Sequence, residues 1–186
     1  MITVVDDFIP EEEFLVLYKT IMSPNFWWHW NTSHMHNELA DNLQNLESTK
    51  FEVDYPQMIH RVFYAQSINV PETFKILKPI LDRIKHKELL KIKCNLNIRI
   101  NYPEHMHGFF HQDVPSDVQQ LNAWTGIYYV NDSDGDTLII QDDNITKSIP
   151  PKANRFVYFP SHMLHAGNCP RNYDRRVVVN FNWIPA

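Results

Sequence analysis

The sequence predicts a mainly β fold, an all-β barrel or sandwich with a helical layer packed on one sheet. Two observations predict it. Helical spacing of apolar residues is confined to the first half of the chain, and from Lys91 onward the pattern changes to short runs of period two separated by turn residues. The chain has 186 residues, a length that suits one domain able to bury its own core. We therefore read residues 1–186 as a single unit, with a helical N-terminal part over 1–90 and a β core over 91–186.

Ile2 to Val5 reads as a short strand. Pro10 followed by Glu11, Glu12 and Glu13 marks a helix start, where proline is tolerated and acids complement the helix dipole. Phe14, Leu17, Tyr18 and Ile21 then form an apolar stripe that should end before Pro24. Residues 26–47, rich in Trp, His and Asn, have no period and read as irregular structure or a covering loop. Met58 to Tyr64 is a strand. Pro71 to His86 is a second helix, with Phe74, Leu77, Leu81 and Ile84 on one face and a kink at Pro79. Beyond it, Ile92, Cys94, Leu96, Ile98 and Ile100 alternate with Lys93, Asn95, Asn97 and Arg99, the signature of a strand. Further strands are expected at Thr125 to Val130, Thr137 to Ile140, Arg155 to Phe159 and Arg176 to Trp183.

Composition excludes several classes. A net charge of −5 gives no basic footprint for phosphate contacts, so a nucleic-acid partner is disfavoured. The only cysteines, Cys94 and Cys169, have no CxxC spacing, which argues against a disulfide framework or a thiolate zinc site and fits a reducing cytoplasm. The N-terminal residues lack the charged and apolar regions of a signal peptide, and no apolar run approaches the ~20 residues of a membrane span. The Trp27, Trp28, Trp30 cluster reads as core or lid. The acids from Asp132 to Asp143 lack the glycine and terminal glutamate of a calcium loop and read as a solvated turn.

His111-Gln112-Asp113 carries the chemistry. Two residues apart on an extended chain, the imidazole and the carboxylate point the same way and reach one ion. Two histidines and one carboxylate on one face of an octahedron leave open positions for an organic chelator and dioxygen on iron(II). His165, after a strand-like run and before Gly167, is the candidate third ligand, with His162 as its rival. The other histidines read as surface or structural groups, with His107, close to the His111–Asp113 pair, as the exception that could meet a substrate.

These residues belong to an ordered series: Asn101-Tyr102-Pro103, then His111-Gln112-Asp113, Ile127 to Asn131, Asp134-Gly135-Asp136-Thr137, Asn154 through Phe159, His165-Ala166-Gly167, and Arg176 to Asn182. From Ile98 to Trp183 the chain resembles the 2-oxoglutarate/Fe(II) dioxygenase superfamily, in its prolyl-4-hydroxylase-like branch, which includes small phage-encoded members. The resemblance implies a double-stranded β-helix, or jelly roll, buttressed by the N-terminal helices. It implies Fe(II) held by His111, Asp113 and His165, 2-oxoglutarate and O2 as co-substrates, and a place for ascorbate as auxiliary reductant. Arg176 is the expected anchor of the far carboxylate of 2-oxoglutarate, assisted by Tyr129 and Tyr102, with Thr137 and Asn180 as further wall residues. Strand alternation favours Arg176 over Arg175, because it turns Val178, Asn180 and Asn182 toward the site and leaves Val177, Val179, Phe181 and Trp183 for the helices. The implied reaction hydroxylates an aliphatic C–H with release of succinate and CO2, on a peptidyl proline by analogy. The competing readings are a nucleobase-oxidising relative, a zinc hydrolase using the same ligands, and a non-catalytic cupin-like binding module.

Overall fold

The structure, a computed structural model of the chain, describes residues 1–31, 52–53, 55–103, 106–115, 118, 122–141 and 146–186. His34, His36, His105, Asp142 and Asp143 lie outside the described residues, as does most of the aromatic and histidine-rich segment.

The elements follow the order β1 (Thr3–Val5), α1 (Glu11–Ile21), β2 (His29–Asn31), β3 (Glu52–Val53), β4 (Gln57–Tyr64), β5 (Ser67–Ile68), α2 (Pro71–Ile76), α3 (Lys78–Arg83), β6 (His86–Ile98) and β7 (His107–Gly108). They continue with β8 (Trp124–Tyr129), β9 (Thr137–Ile140), β10 (Thr146–Ile149), β11 (Arg155–Pro160), β12 (His165–Gly167) and β13 (Arg175–Pro185). A large sheet runs β1-β11-β8-β13-β6-β4-β2, with β5 paired to β4, and a small sheet runs β10-β9-β12. Every pairing within these two sheets is antiparallel. The short β3 and β7 pair parallel. This is the jelly roll expected above.

The large sheet has two different faces, and strand alternation assigns each residue to one of them. On the outer face, Val177, Val179, Phe181, Trp183, Ile92, Cys94 and Leu96 join Leu17, Ile21, Leu77, Ile80 and Leu81 from the helices in the main core. On the inner face, Ile127, Tyr129, Val157, Phe159 and Val178 pack with Ile139 and Ile149 of the small sheet. Gly126 of β8 leaves room for the outer aromatic layer: a Cβ there would collide with Phe156 and lie 2.8 Å from the Trp183 ring.

The helix expected over 71–86 is two short helices meeting at Leu77. Pro79 has no N–H to donate, and its ring excludes the Lys75 carbonyl from a regular turn. The Leu77 N–H is accordingly shared between the Thr73 and Phe74 carbonyls at 3.3 and 3.2 Å. The strand that follows begins earlier than its alternation suggested, at His86, and ends at Ile98. Strands β2, β3, β5, β7, β10 and β12, each of two to four residues, are not expected from the sequence, and β2 lies in the segment read there as irregular; of strands this short only β1 and β9 show enough β pattern to be expected.

Asn154 ties the N-terminus to the β core. It takes a left-handed backbone conformation, φ 60°, which asparagine tolerates better than most residues. Its side chain accepts hydrogen bonds from the Ile9 N–H at 3.1 Å and the Tyr128 hydroxyl at 2.8 Å, and donates to the Ile9 carbonyl at 2.8 Å. Asp6 adds a second tie, with salt bridges to Arg155 at 2.6 Å and Lys152 at 3.0 Å. Hydrogen bonds from Arg155 and Lys152 hold the Asp6 carboxyl down to about 2. A depressed carboxyl stabilises the fold at pH above its unfolded value and loses that contribution as pH falls through the folded one. Asp6→Asn should thus lower Tm slightly at neutral pH, by an exposed ion pair's worth of less than about 1 kcal/mol. The gap to wild type should close between about pH 4 and pH 2. Thermal melts across that range check this, and a gap that widens toward acid would contradict it.

Candidate metal centre and co-substrate pocket

His111 and His165 are far apart in sequence but form an isolated antiparallel bridge. The His111 N–H donates to the His165 carbonyl at 2.9 Å, and the His165 N–H returns the bond to His111 at 3.0 Å. That bridge sets the imidazoles side by side, with ring centroids 4.6 Å apart. Each Nδ1 faces a backbone carbonyl, that of Phe109 at 3.0 Å for His111 and that of Met163 at 3.3 Å for His165. A carbonyl only accepts, so each Nδ1 carries the proton and each Nε2 keeps its lone pair for the centre, the usual arrangement of a metal-ligating histidine.

Asp113 completes the trio. One potential ligand atom from each residue lies within 4.8 Å of the others, a grouping found nowhere else among the described residues. Asp113 Oδ2 is 3.5 Å from His165 Nε2. It also accepts a hydrogen bond from Asn182 at 3.3 Å, while the same amide donates to Thr125 at 2.9 Å. Lys91 Nζ lies 3.3 Å from Asp113 Oδ1 and donates to the Asp113 carbonyl at 3.1 Å. Burial works to raise the Asp113 carboxyl, but the Lys91 ammonium and the two imidazoles hold it well below the usual range. Burial and the adjacent His165 push His111 down to about 4. The carboxylate is therefore charged and the His111 imidazole neutral near pH 7, the protonation states that a cation requires. His165 Nε2 is buried with no hydrogen-bond partner, and such an orphaned acceptor fits a bound metal.

The same cavity, about 160 Å³, is lined by Arg176, Thr137, Ile127, Val178 and Asn180 as well as by the trio. Arg176 is 3% exposed, has no carboxylate partner among the described residues, and leaves its Nε without a hydrogen bond. Its Nη2 donates to Thr137 Oγ1 at 2.8 Å, and the Tyr129 hydroxyl donates to the same oxygen at 2.7 Å. Having accepted twice, the Thr137 hydroxyl has its own proton to give. Gly167 allows this packing, since a Cβ there would stand 3.3 Å from the guanidinium. Gly135 does the same, at 3.0 Å from the Arg176 Cδ.

Not every candidate arrives here. Arg175, next to Arg176, is exposed. His162 is also exposed, and its carbonyl accepts a hydrogen bond from Gln112. Tyr102 does not line the cavity: its hydroxyl donates to the Cys169 carbonyl at 2.9 Å and Arg171 stacks on its ring at 4.4 Å. His107 sits beside it in a separate surface pocket. A tyrosine with no periodic neighbours, Tyr55, lies close to the site instead. It donates to the Gly167 carbonyl, and burial pushes its hydroxyl well up. The turn acids are not simply solvated, because Asp132 and Asp134 accept backbone N–H bonds from Ala153, Arg171 and Asn172. Of the tryptophans, Trp28 packs on the core beside His60, whereas Trp27 and Trp30 are each 58% exposed.

Lys91, Lys93 and Asn95, the polar face of β6, also line the cavity. Alternation separates them from the apolar face, but only the small sheet opposite makes their face an interior. Burial and the adjacent Lys91 push the Lys93 ammonium down to about 8.

A jelly roll whose cavity holds two histidines, a carboxylate and a buried arginine with no carboxylate partner among the described residues is the arrangement of a non-haem metal-dependent oxygenase. Residues 99–184 match the 2OG-Fe(II) oxygenase superfamily, and this core is that of a 2-oxoglutarate-dependent Fe(II) oxygenase. It thereby requires Fe(II), 2-oxoglutarate and O2. A comparison with curated proteins returns no match. Among solved structures, a Pseudomonas putida prolyl-4-hydroxylase aligns with TM-score 0.56 at 11% identity, covering 100% of this chain and 92% of its own. A Trichoplax adhaerens prolyl hydroxylase in complex with a hypoxia inducible factor peptide aligns with TM-score 0.59 at 14% identity, covering 98% and 83%. The epimerase SnoN from nogalamycin biosynthesis, in complex with Fe3+ and alpha ketoglutarate, aligns with TM-score 0.60 at 12% identity, covering 100% and 79%. At these identities the likeness is one of fold. Among the described residues no helix is long and apolar enough to cross a membrane.

Proposed function

We propose that His111, Asp113 and His165 hold the Fe(II), that Arg176 with Thr137 and Tyr129 seats the far carboxylate of 2-oxoglutarate, and that residues 1–186 act as one catalytic domain. The observation that carries the reading is Arg176, a buried cation with no anionic partner among the described residues in the cavity that holds the metal trio. An unpaired charge at that depth is costly, and a bidentate carboxylate removes the cost. When bound, the iron supplies the oxidising chemistry: 2-oxoglutarate and O2 are converted to succinate and CO2 while an aliphatic C–H becomes C–OH. The chain's own residues orient the reactants. Asn182 and Lys91 hold the Asp113 carboxylate in place, the Phe109 and Met163 carbonyls fix the imidazoles, and Val178 with Ile127 gives the 2-oxoglutarate chain an apolar wall.

The substrate favoured by the prolyl-hydroxylase neighbours is a peptidyl proline. Both cysteines are free and buried, which suits a reducing cytoplasm. Anaerobic addition of Fe(II) and then 2-oxoglutarate should produce a weak visible charge-transfer band. A protein that binds neither refutes the site assignment, and succinate release that proline peptides leave unstimulated refutes the substrate.

A further inference from the structure

A second, larger cleft of about 530 Å³ shares Lys91, Lys93 and Asp113 with the metal cavity and opens beside the trio. Its remaining polar wall is mainly Arg61, and Ile59, Leu90 and Val114 make it apolar elsewhere. Arg61 and Lys93 are direct cross-strand partners in the β4–β6 ladder. Like charges in that relation repel unless something lies between them. Asp113 is the cleft's only acid among the described residues, and it already engages Lys91. Neither Arg61 nor Lys93 has a carboxylate partner among the described residues. Arg61 lies over the Tyr64 ring at 5.3 Å, which fixes its guanidinium at the cleft wall.

Loading the site does not relieve this excess. The charges of Fe(II), Asp113, Arg176 and a 2-oxoglutarate dianion cancel, and three cations remain at the position where a substrate must present its C–H bond. We propose that the primary substrate is anionic, bearing a carboxylate or phosphate that Arg61 and Lys93 bind beside the metal. For a peptide this means an acidic or phosphorylated residue next to the one that reacts. The inference rests on the oxygenase reading for the location of the chemistry, but the anion site itself is a property of β4 and β6.

The test uses protein loaded with Zn(II), which binds but does not oxidise, and 2-oxoglutarate. Benzoate, phenyl phosphate and neutral benzamide are titrated in turn, with backbone amide NMR shifts at positions 61 and 93 as the readout. The anions should saturate with Kd values at least about tenfold below that of benzamide, equivalent to one charge-assisted contact of ~1.4 kcal/mol. Lys93→Met should raise the anion Kd about tenfold and leave that of benzamide unchanged. Arg61→Gln, at an exposed position, repeats the test should Lys93→Met fail to fold. The tighter of the two anions identifies the headgroup. Equal binding of the three probes, shifts confined to residues away from β4 and β6, or anion affinity unchanged in the variants overturns the proposal. Binding of 2-oxoglutarate is measured in the same samples, and its failure would count against the co-substrate pocket whatever the anions do.

Discussion

Arg176→Met should raise the KM for 2-oxoglutarate by roughly 10- to 150-fold, the ~1.5–3 kcal/mol of a hydrogen bond to a charged partner, and leave Fe(II) binding without 2-oxoglutarate unchanged. Arg176→Lys should fall between the two, because an ammonium keeps the charge but loses the paired donors. The fold should respond in the opposite sense. In the unliganded protein the guanidinium is a buried charge whose hydroxyl partner, Thr137, carries no charge. An apolar side chain of similar length removes that uncompensated charge, so Tm should hold or rise. Steady-state kinetics with thermal melts decide this. An unchanged KM would separate Arg176 from the co-substrate, and a collapse of Tm would mark it as structural.

Asp113→Asn should weaken Fe(II) binding by more than about 100-fold, since loss of a mere supporting contact around a metal costs ~10- to 100-fold. The amide preserves the volume and contact with Asn182 but has no charge for the cation, and it leaves the Lys91 ammonium, 19% exposed on its side chain, without its counter-ion. Turnover should fall below detection. Competition of Fe(II) against a chromophoric chelator measures the affinity. Retention of wild-type affinity would show that the metal is held elsewhere. The two histidines, locked by backbone carbonyls on Nδ1, should keep their orientation in this variant.

Much of the site was legible because it sits on long strands. The alternation of β13 separates Arg176, Val178 and Asn180, which line the cavity, from Val177, Val179, Phe181 and Trp183, which pack with the helices. A period of two over this strand leaves only two assignments, and placing asparagines against an apolar layer is too costly for one of them. The spacing of His111 and Asp113 was legible from side-chain chemistry, although His111 sits in an isolated bridge and not on a strand. Parity fails where extended chain stops. The strand before Tyr102 ends at Ile98, and beyond it, in irregular chain, the tyrosine meets Cys169 and Arg171 rather than the cavity. Tyr55 had no signal, since it lies outside any periodic run and meets Gly167 only through the fold.

The sequence by itself determined the fold class, the residues that could form a metal centre, and which of two adjacent arginines faces inward, because each follows from local periodicity and side-chain chemistry. Tertiary structure alone decided that His165 meets His111 through a two-residue bridge, and that the polar face of β6 is a cavity wall rather than a solvated surface. Both depend on the small sheet closing over the large one. That closure is a long-range pairing, and no short stretch of sequence encodes it.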